Sequence, residues 1–400
     1  MIKRLVYVFT TAAMPWYFQK EQNLFLRKHG FDLHLIASPD DFLEKTGRRD
    51  GLTIHPLNIP RSPAPWRDLL ALAGLVKLFR ALRPDIVHAG APKSALLAML
   101  AASIAGVKHR FFACHGTVTG RRKGARRWFF RLIEGLTARL AKRVWCVSPS
   151  LLAFMSQAGI IPAGRGFAIG HGSANGFREE WLNEAGATVP EVITRLEHDK
   201  AAIGFPLVGF MGRLCRQKGL ETIAEAWPMI RKRVPEARLL MVGAWERVGA
   251  VPALLRQYFE DDSSIIISGP VEQGAAGRCY RLMDVLLMPP LGGEGLGNVL
   301  LEAALCGVPG VTSNVVGCID AVADGVTGQI VPPGNAEALA WATIKYLRNP
   351  DLAREHGAAG RERVFAFFQP EPIWERLLAE YSGSAGARAC SSSAWREANL

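Results

Sequence analysis

Two glutamates separated by seven residues, Glu294 and Glu302, stand in the stretch "LGGEGLGNVLLEAALCGVPG" (residues 291–310), with glycines on both sides of the first. A carboxylate accepts paired hydrogen bonds from vicinal hydroxyls, and glycine lets backbone approach a ligand closely. With Asn298 as candidate cap, "VLLEAALC" reads as a helix ended by Gly307. The free N–H groups and the dipole at its N-terminus favour an anion such as a diphosphate. Gly295 and Gly297 would bring backbone to that anion, Glu302 would take hydroxyls at one end of the ligand, and Glu294 at the other. A second cluster, "GFMGRLCRQKGLETI" (209–223), sets Arg213 just past a buried strand and Lys218 before the next helix. Two cations there would neutralise a diphosphate and stabilise it as a leaving group.

Such residues need sheets to hold them. Short β-rich runs appear at 4–10, 32–38, 52–57, 85–90, 109–116 and 143–148, with helical stretches between several of them. A polar, glycine-containing stretch follows near 170–205. The pattern then restarts at 207–212, 237–243, 264–269, 284–290, 307–313 and 328–333. Alternating strands and helices predict open parallel α/β sheets, here two doubly wound domains in tandem. The expected bounds are 1–185 and 200–365, with a helix at about 366–381 rejoining the first domain and a poorly ordered tail over 382–400. Ligands of such sheets bind beyond the carboxyl ends of the strands, so the cleft between the domains is the expected site.

Composition excludes several classes. The chain has 400 residues, of which 49% are hydrophobic, enough for two cores rather than a disordered or fibrous chain. Its longest apolar stretches, such as 69–79 and 94–107, fall short of the roughly 18 uninterrupted residues of a membrane span. The opening "MIKRLVYVFTTAAMPWYF" superficially copies a signal peptide, but "RLVYVFTT" suits a first buried strand better. The 7 cysteines are scattered and form no C-x-x-C pair, which indicates neither a disulfide framework nor a zinc site and makes a reducing cytoplasm the default.

The formal charge of +12 is unevenly divided: residues 1–180 hold 27 Lys and Arg against 11 Asp and Glu, and residues 181–400 hold 21 against 25. The densest basic part is 121–145, where Phe129, Leu132, Ile133, Leu136 and Leu140 recur at helical spacing among six further basic residues, Arg126 to Arg143. The expectation is a helix that buries this stripe and turns its charge to an anionic membrane surface, an attraction of about 1 kcal/mol per basic residue. No nucleic-acid module accompanies the run, so nucleic acid is not expected as a partner.

"GRLCRQKG" (212–219) followed by "EGLGNVLLEAALCGVP" (294–309), with the glutamates as E-x7-E, resembles the retaining nucleotide-sugar glycosyltransferases of family 4, which have the GT-B fold. "PDIVHAGAPKSALLAMLAA", "HGTVTGRRKG", "CVSPSL", "IGHGSANGF" and "GCIDAVADGVTGQIVPPGN" also fit, over nearly the whole chain to about residue 381. "GHGSANG" (170–176) is similar to the branch that extends lipid-linked glycans for capsule, O-antigen or protein glycosylation. The resemblance gives the diphosphate to Arg213 and Lys218, the ribose hydroxyls to Glu302, the donor-sugar hydroxyls to Glu294, and the phosphates also to backbone around Gly297 and Asn298. It places His115 in the cleft near the transferred sugar. Many members carry a glycine pair after the first strand; here the loop reads "TTAAMPWYFQ" (10–19) and takes no phosphate role. On charge alone, Lys93 and Arg121 to Lys123 are candidate contacts to a lipid diphosphate.

The resemblance implies a hexosyltransferase that retains anomeric configuration, with a nucleotide-sugar donor, UDP-linked by default, and a glycan acceptor that is lipid-linked. A cytoplasmic enzyme at the inner face of the membrane is expected. With no Asp-x-Asp pair and with cations to do a metal's work, no metal is expected. A scaffold or glycan-binding protein that keeps the fold without turnover is the alternative. A dinucleotide-dependent oxidoreductase would need a G-x-G-x-x-G after a first strand, which neither half has.

Overall fold

The computed structural model describes residues 3–62, 64–121, 124–246 and 251–383. The first half runs β1 (Lys3–Thr11), α1 (Ala13–Phe18), α2 (Gln22–Lys28), β2 (Phe31–Ser38), α3 (Leu43–Asp50), β3 (Thr53–Pro56), α4 (Pro65–Leu82), β4 (Ile86–Gly90), α5 (Pro92–Ile104), β5 (His109–Cys114), α6 (Gly124–Leu140), β6 (Arg143–Cys146), α7 (Pro149–Gln157) and β7 (Gly166–Phe167). The second runs α8 (Glu191–Ile203), β8 (Leu207–Met211), α9 (Leu220–Arg233), β9 (Arg238–Val242), α10 (Ala253–Asp261), β10 (Ile265–Gly269), α11 (Ala276–Leu282), β11 (Val285–Met288), α12 (Asn298–Leu305), β12 (Gly310–Ser313), α13 (Cys318–Ala321), β13 (Gly328–Val331), α14 (Ala336–Arg348), α15 (Pro350–Phe367) and α16 (Pro370–Ser382).

Two parallel sheets result, ordered β3-β2-β1-β4-β5-β6-β7 and β10-β9-β8-β11-β12-β13. Each reverses direction beside its first strand, the topological switch at which doubly wound sheets open a crevice. The central strands are buried on both faces, as a sheet covered by helices on both sides requires; Leu5 to Phe9 of β1 are all buried. The opening apolar run is thus a strand, paired in parallel with both β2 and β4. The two-residue β7, paired with Val144 and Trp145 of β6, is too short to show a period in sequence.

The last helix leaves the second half and packs on the first sheet. Ile373, Trp374, Leu377 and Tyr381 of α16 join one core with Leu5, Tyr7, Phe111 and Trp145. Glu380 pairs with Arg143 and Arg376, and the Trp374 indole donates to Asn175. Elsewhere the two halves are clasped where α13 meets α7: the Ser150 hydroxyl donates to the Asp320 carboxylate and accepts from the Gly317 N–H at 2.8 Å.

Helix α6 corrects one expectation. Its buried residues are Glu134, Gly135, Thr137 and Ala138, whereas Trp128, Phe129, Leu132 and Leu136 are 45–63% exposed. The small residues form the face turned inward, toward α5 and β5; of the stripe, Leu140 packs against the core and Ile133 is half-buried, while Phe129, Leu132 and Leu136 face out among Arg126, Arg127, Arg131 and Arg139. Among the described residues no helix is long and apolar enough to cross a membrane, and six cysteines are free thiols. Cys390 and the 384–400 tail lie outside the described residues.

Leu377 is fully buried between α16 and the first sheet. Leu377→Ala is expected to destabilise the protein by about 2–5 kcal/mol, measured by urea unfolding; a loss within error of zero would mean that α16 does not dock as described.

Candidate active site

The second sheet delivers the glutamate loop. Strand β11 ends at Met288, Pro289 and Pro290 cannot extend the ladder, and the chain crosses 291–297 before α12 begins. The cap differs from expectation: Gly297, at φ +74°, takes the capping position and Asn298 is the first helical residue. Glycine, with no Cβ, takes that left-handed conformation at no steric cost. Glu302 follows one turn on, and its Oε2 accepts from the Tyr280 hydroxyl at 2.7 Å.

The loop and the basic motif are built together. The Leu291 N–H donates to the carbonyl of Gln217 at 3.1 Å. Gly219, which caps α9 at φ +80°, passes so close to Pro289 that a Cβ there would lie 1.9 Å from its carbonyl oxygen. Lys218 is thereby carried to Glu294, Nζ to Oε2 3.0 Å, with both side chains about one-fifth exposed. Arg213 is not drawn into this group; its guanidinium pairs with Glu246 at 2.6 Å and is 60% exposed.

The first sheet supplies the opposite wall. His115 follows β5, and its ring lies over Gly90, where a Cβ would meet Nε2 at 3.3 Å, with Phe18 of α1 at 6.2 Å. Burial pushes the imidazole down to about 4, so it is neutral at pH 7. The loop after it is held by Glu134, a buried residue of α6 that accepts from Val118 N–H at 2.7 Å and the Thr117 hydroxyl at 2.9 Å. The two walls touch through backbone: a Cβ at Gly295 would sit 2.4 Å from the carbonyl oxygen of His115, and one at Gly116 2.9 Å from that of Gly293. Gly295 was expected to admit an anion; the group that approaches it here is the His115 carbonyl.

Sequence reasoning missed several residues. A cavity joins Glu302 and Asn298 to Tyr17 and Phe18 of α1 and to Asn175 and Trp181 of the inter-domain segment. The aromatic run after β1 signals this only in hindsight, because nothing in it says that Asp40 will anchor it through the Ala12 N–H at 2.9 Å. Lys93, proposed on charge as an acceptor contact, is engaged with Asp68 at 2.6 Å and with the Ser62 carbonyl. Arg122 and Lys123 lie outside the described residues, as does the Arg121 side chain. Among the described residues no group of three or more His, Cys, Asp or Glu could hold a metal ion.

Two family models match this chain. One, described as a glycosyl transferase 4-like domain, matches residues 25–172, and the other, glycosyl transferases group 1, matches 205–349. The chain belongs to the family 4 glycosyltransferases. It is 28% identical over 358 residues to the capsular polysaccharide biosynthesis glycosyltransferase CapM of Staphylococcus aureus, covering 90% of this chain and 91% of that one. Over 190 residues it is 32% identical to a GDP-mannose-dependent phosphatidylinositol monomannoside mannosyltransferase of Mycolicibacterium smegmatis, spanning 46% of this chain and about half, 49%, of that protein. Its fold matches Anabaena HepE, solved in complex with UDP and glucose, at a TM-score of 0.77 and 17% identity, covering 95% of this chain and 100% of that one. The protein is a GT-B glycosyltransferase, and the facing walls are those of the two Rossmann-like domains.

Burial raises the Glu302 carboxyl above the usual 4.5, against the opposing pull of the Tyr280 hydroxyl. An acid raised in this way binds its proton more readily folded than unfolded, so stability is lost as pH rises through the folded value. The non-ionisable Glu302→Gln is therefore expected to melt above wild type at about pH 7.5, with the gap closing toward about pH 4. A pH-independent difference in thermal unfolding would show that Glu302 carries no such cost.

Proposed function

We propose that this glycosyltransferase moves a hexose-type sugar from a nucleotide-sugar, UDP-linked, to a hydroxyl of a lipid-linked glycan acceptor with retention of configuration, in the biosynthesis of capsule, O-antigen or a related cell-surface polysaccharide. The observation that carries this is the loop before α12, which pairs Glu294 with Lys218 and leads one turn on to Glu302. Glu302 keeps its Oε1 for ribose hydroxyls while Tyr280 occupies Oε2. Lys218 neutralises the diphosphate, and the first N–H groups of α12 point at it. As the sugar leaves, negative charge builds on the phosphate, and Lys218 stabilises it without reorganisation. Arg213 joins by exchanging Glu246 for phosphate, a small cost for an exposed pair. Glu294, released from Lys218 by the phosphate, takes the sugar hydroxyls. The acceptor hydroxyl then attacks from the face the leaving group vacates and passes its proton to the departing phosphate oxygen.

CapM, similar over nearly all of both chains, supports the polysaccharide reading. For the nucleotide the comparisons diverge: HepE has been solved with UDP, whereas the mycobacterial relative is GDP-mannose-dependent. Calorimetric titration with UDP and GDP, repeated on Glu302→Ala, decides between them. Saturable binding of UDP, weakened roughly 10- to 100-fold by loss of hydrogen bonds to a charged group, is the expected result. Binding of GDP alone would replace the donor, and no binding of either would favour a scaffold that keeps the fold without turnover.

The acceptor's lipid would be met through the first domain at the inner face of the cytoplasmic membrane. Exposed Trp128, Phe129, Leu132 and Leu136 on α6, set among arginines, match the chemistry of an interfacial helix on anionic lipid. Phe129→Ser/Leu132→Ser is expected to lower cosedimentation with phosphatidylglycerol-containing vesicles about tenfold or more; binding that persists unchanged would remove α6 from the contact.

A further inference from the structure

Behind His115 lies a small cavity separate from the one that holds Glu302. Gln19, His88, His115 and Trp145 line it, with Phe9 and Met14 as apolar walls and Phe18 and Ala174 closing it. Phe18 and Ala174 also line the Glu302 cavity, so the two spaces share a wall. Gln19 and Trp145 are 5% and 2% exposed, yet the Gln19 Oε1 and the Trp145 Nε1 make no hydrogen bond to the described protein. Buried polar atoms are almost always paired. Here an orphaned acceptor and an orphaned donor come from residues that border one space.

That space selects its occupant. It offers the centre of a water-sized group about 10 Å³, room for one such group. Every polar residue around it is uncharged at pH 7: burial holds His88 near 3 and His115 near 4, and His88 Nδ1 is already engaged with the Tyr381 hydroxyl. A phosphate or a cation would find no counter-charge there. A hydroxyl both accepts and donates, which is what a lone indole N–H and a lone carboxamide oxygen ask for.

We propose that this cavity binds a single hydroxyl group that accepts from Trp145 Nε1 and donates to Gln19 Oε1, beside the His115 ring. Two sources share that chemistry: an internal water, or a hydroxyl of the transferred sugar entering past Phe18. Either sets one face of the His115 environment, and Gln19, at the C-terminal end of α1, becomes a positioning residue. The sugar source rests on the transferase reading above, whereas the water source does not.

High-resolution crystals of the wild-type protein, alone and with UDP-glucose, test this. An oxygen within about 3.2 Å of both Trp145 Nε1 and Gln19 Oε1 is expected in at least one of them. If it is water, it is present without ligand, is lost in Gln19→Leu, and leaves the ratio of UDP-glucose to UDP affinity unchanged. If it belongs to the sugar, it arrives with UDP-glucose, and Gln19→Leu or Trp145→Phe cuts that ratio roughly tenfold while UDP affinity stays constant. No bridging oxygen in either crystal overturns the proposal, whether or not nucleotide binds and whether or not the variants fold. Failure of UDP-glucose to bind beside a clear water would instead count against the donor assignment alone.

Discussion

The backbone of Gly295 lies against the carbonyl of His115, and no side chain fits between them. That contact sets the spacing of everything else in the cleft. It brings the carboxyl end of β5, in the first sheet, against the loop that follows β11, in the second. Gly116 and Gly293 repeat the close approach from the other side, and Gly317 in turn abuts the Gly295 carbonyl. A cluster of glycines in a loop is usually read as room for a ligand. Here part of that room is taken by the other domain, and the Ser150–Asp320 clasp holds the same face together nearby.

The ionic groups of the site are internally paired rather than free. Lys218 holds Glu294, Glu246 holds Arg213, and the Tyr280 hydroxyl holds Glu302. These partnerships differ in strength for a physical reason. The exposed Arg213 pair is screened by water and easily exchanged. The Glu302 carboxylate, enclosed and with no paired cation among the described residues, is costly to ionise and relies on one hydroxyl. A buried acid kept at such cost is a common mark of a binding group.

Helix α6 shows the same tension on the outer surface. Its inner face is made of small residues and one buried glutamate, and that glutamate fixes the loop carrying His115. Its outer face carries large apolar side chains that a domain stabilised only by its own core would bury. One helix therefore connects the cleft to an unusual surface.

Strand positions were legible in the sequence almost throughout, because buried parallel strands are short apolar runs between breakers and their signal is local. The loop and helix start that space Glu294 and Glu302 were legible too, being carried by consecutive residues, whereas the Lys218–Glu294 pair joins residues 76 positions apart and is made by the fold. What the sequence left open is what depends on which side of an element meets which neighbour. The spacing of Phe129, Leu132 and Leu136 predicted one apolar face of a helix, and only packing against the rest of the domain decided that this face points outward. Asn298 was a reasonable cap by type, but the φ of +74° that the turn demands at the cap gave the position to Gly297. Gln19 and Trp145 are 126 positions apart, and no local pattern could announce that both border the space behind His115. Local composition determines elements; long-range contact determines partners, and the chemistry of this cleft lies in the partners.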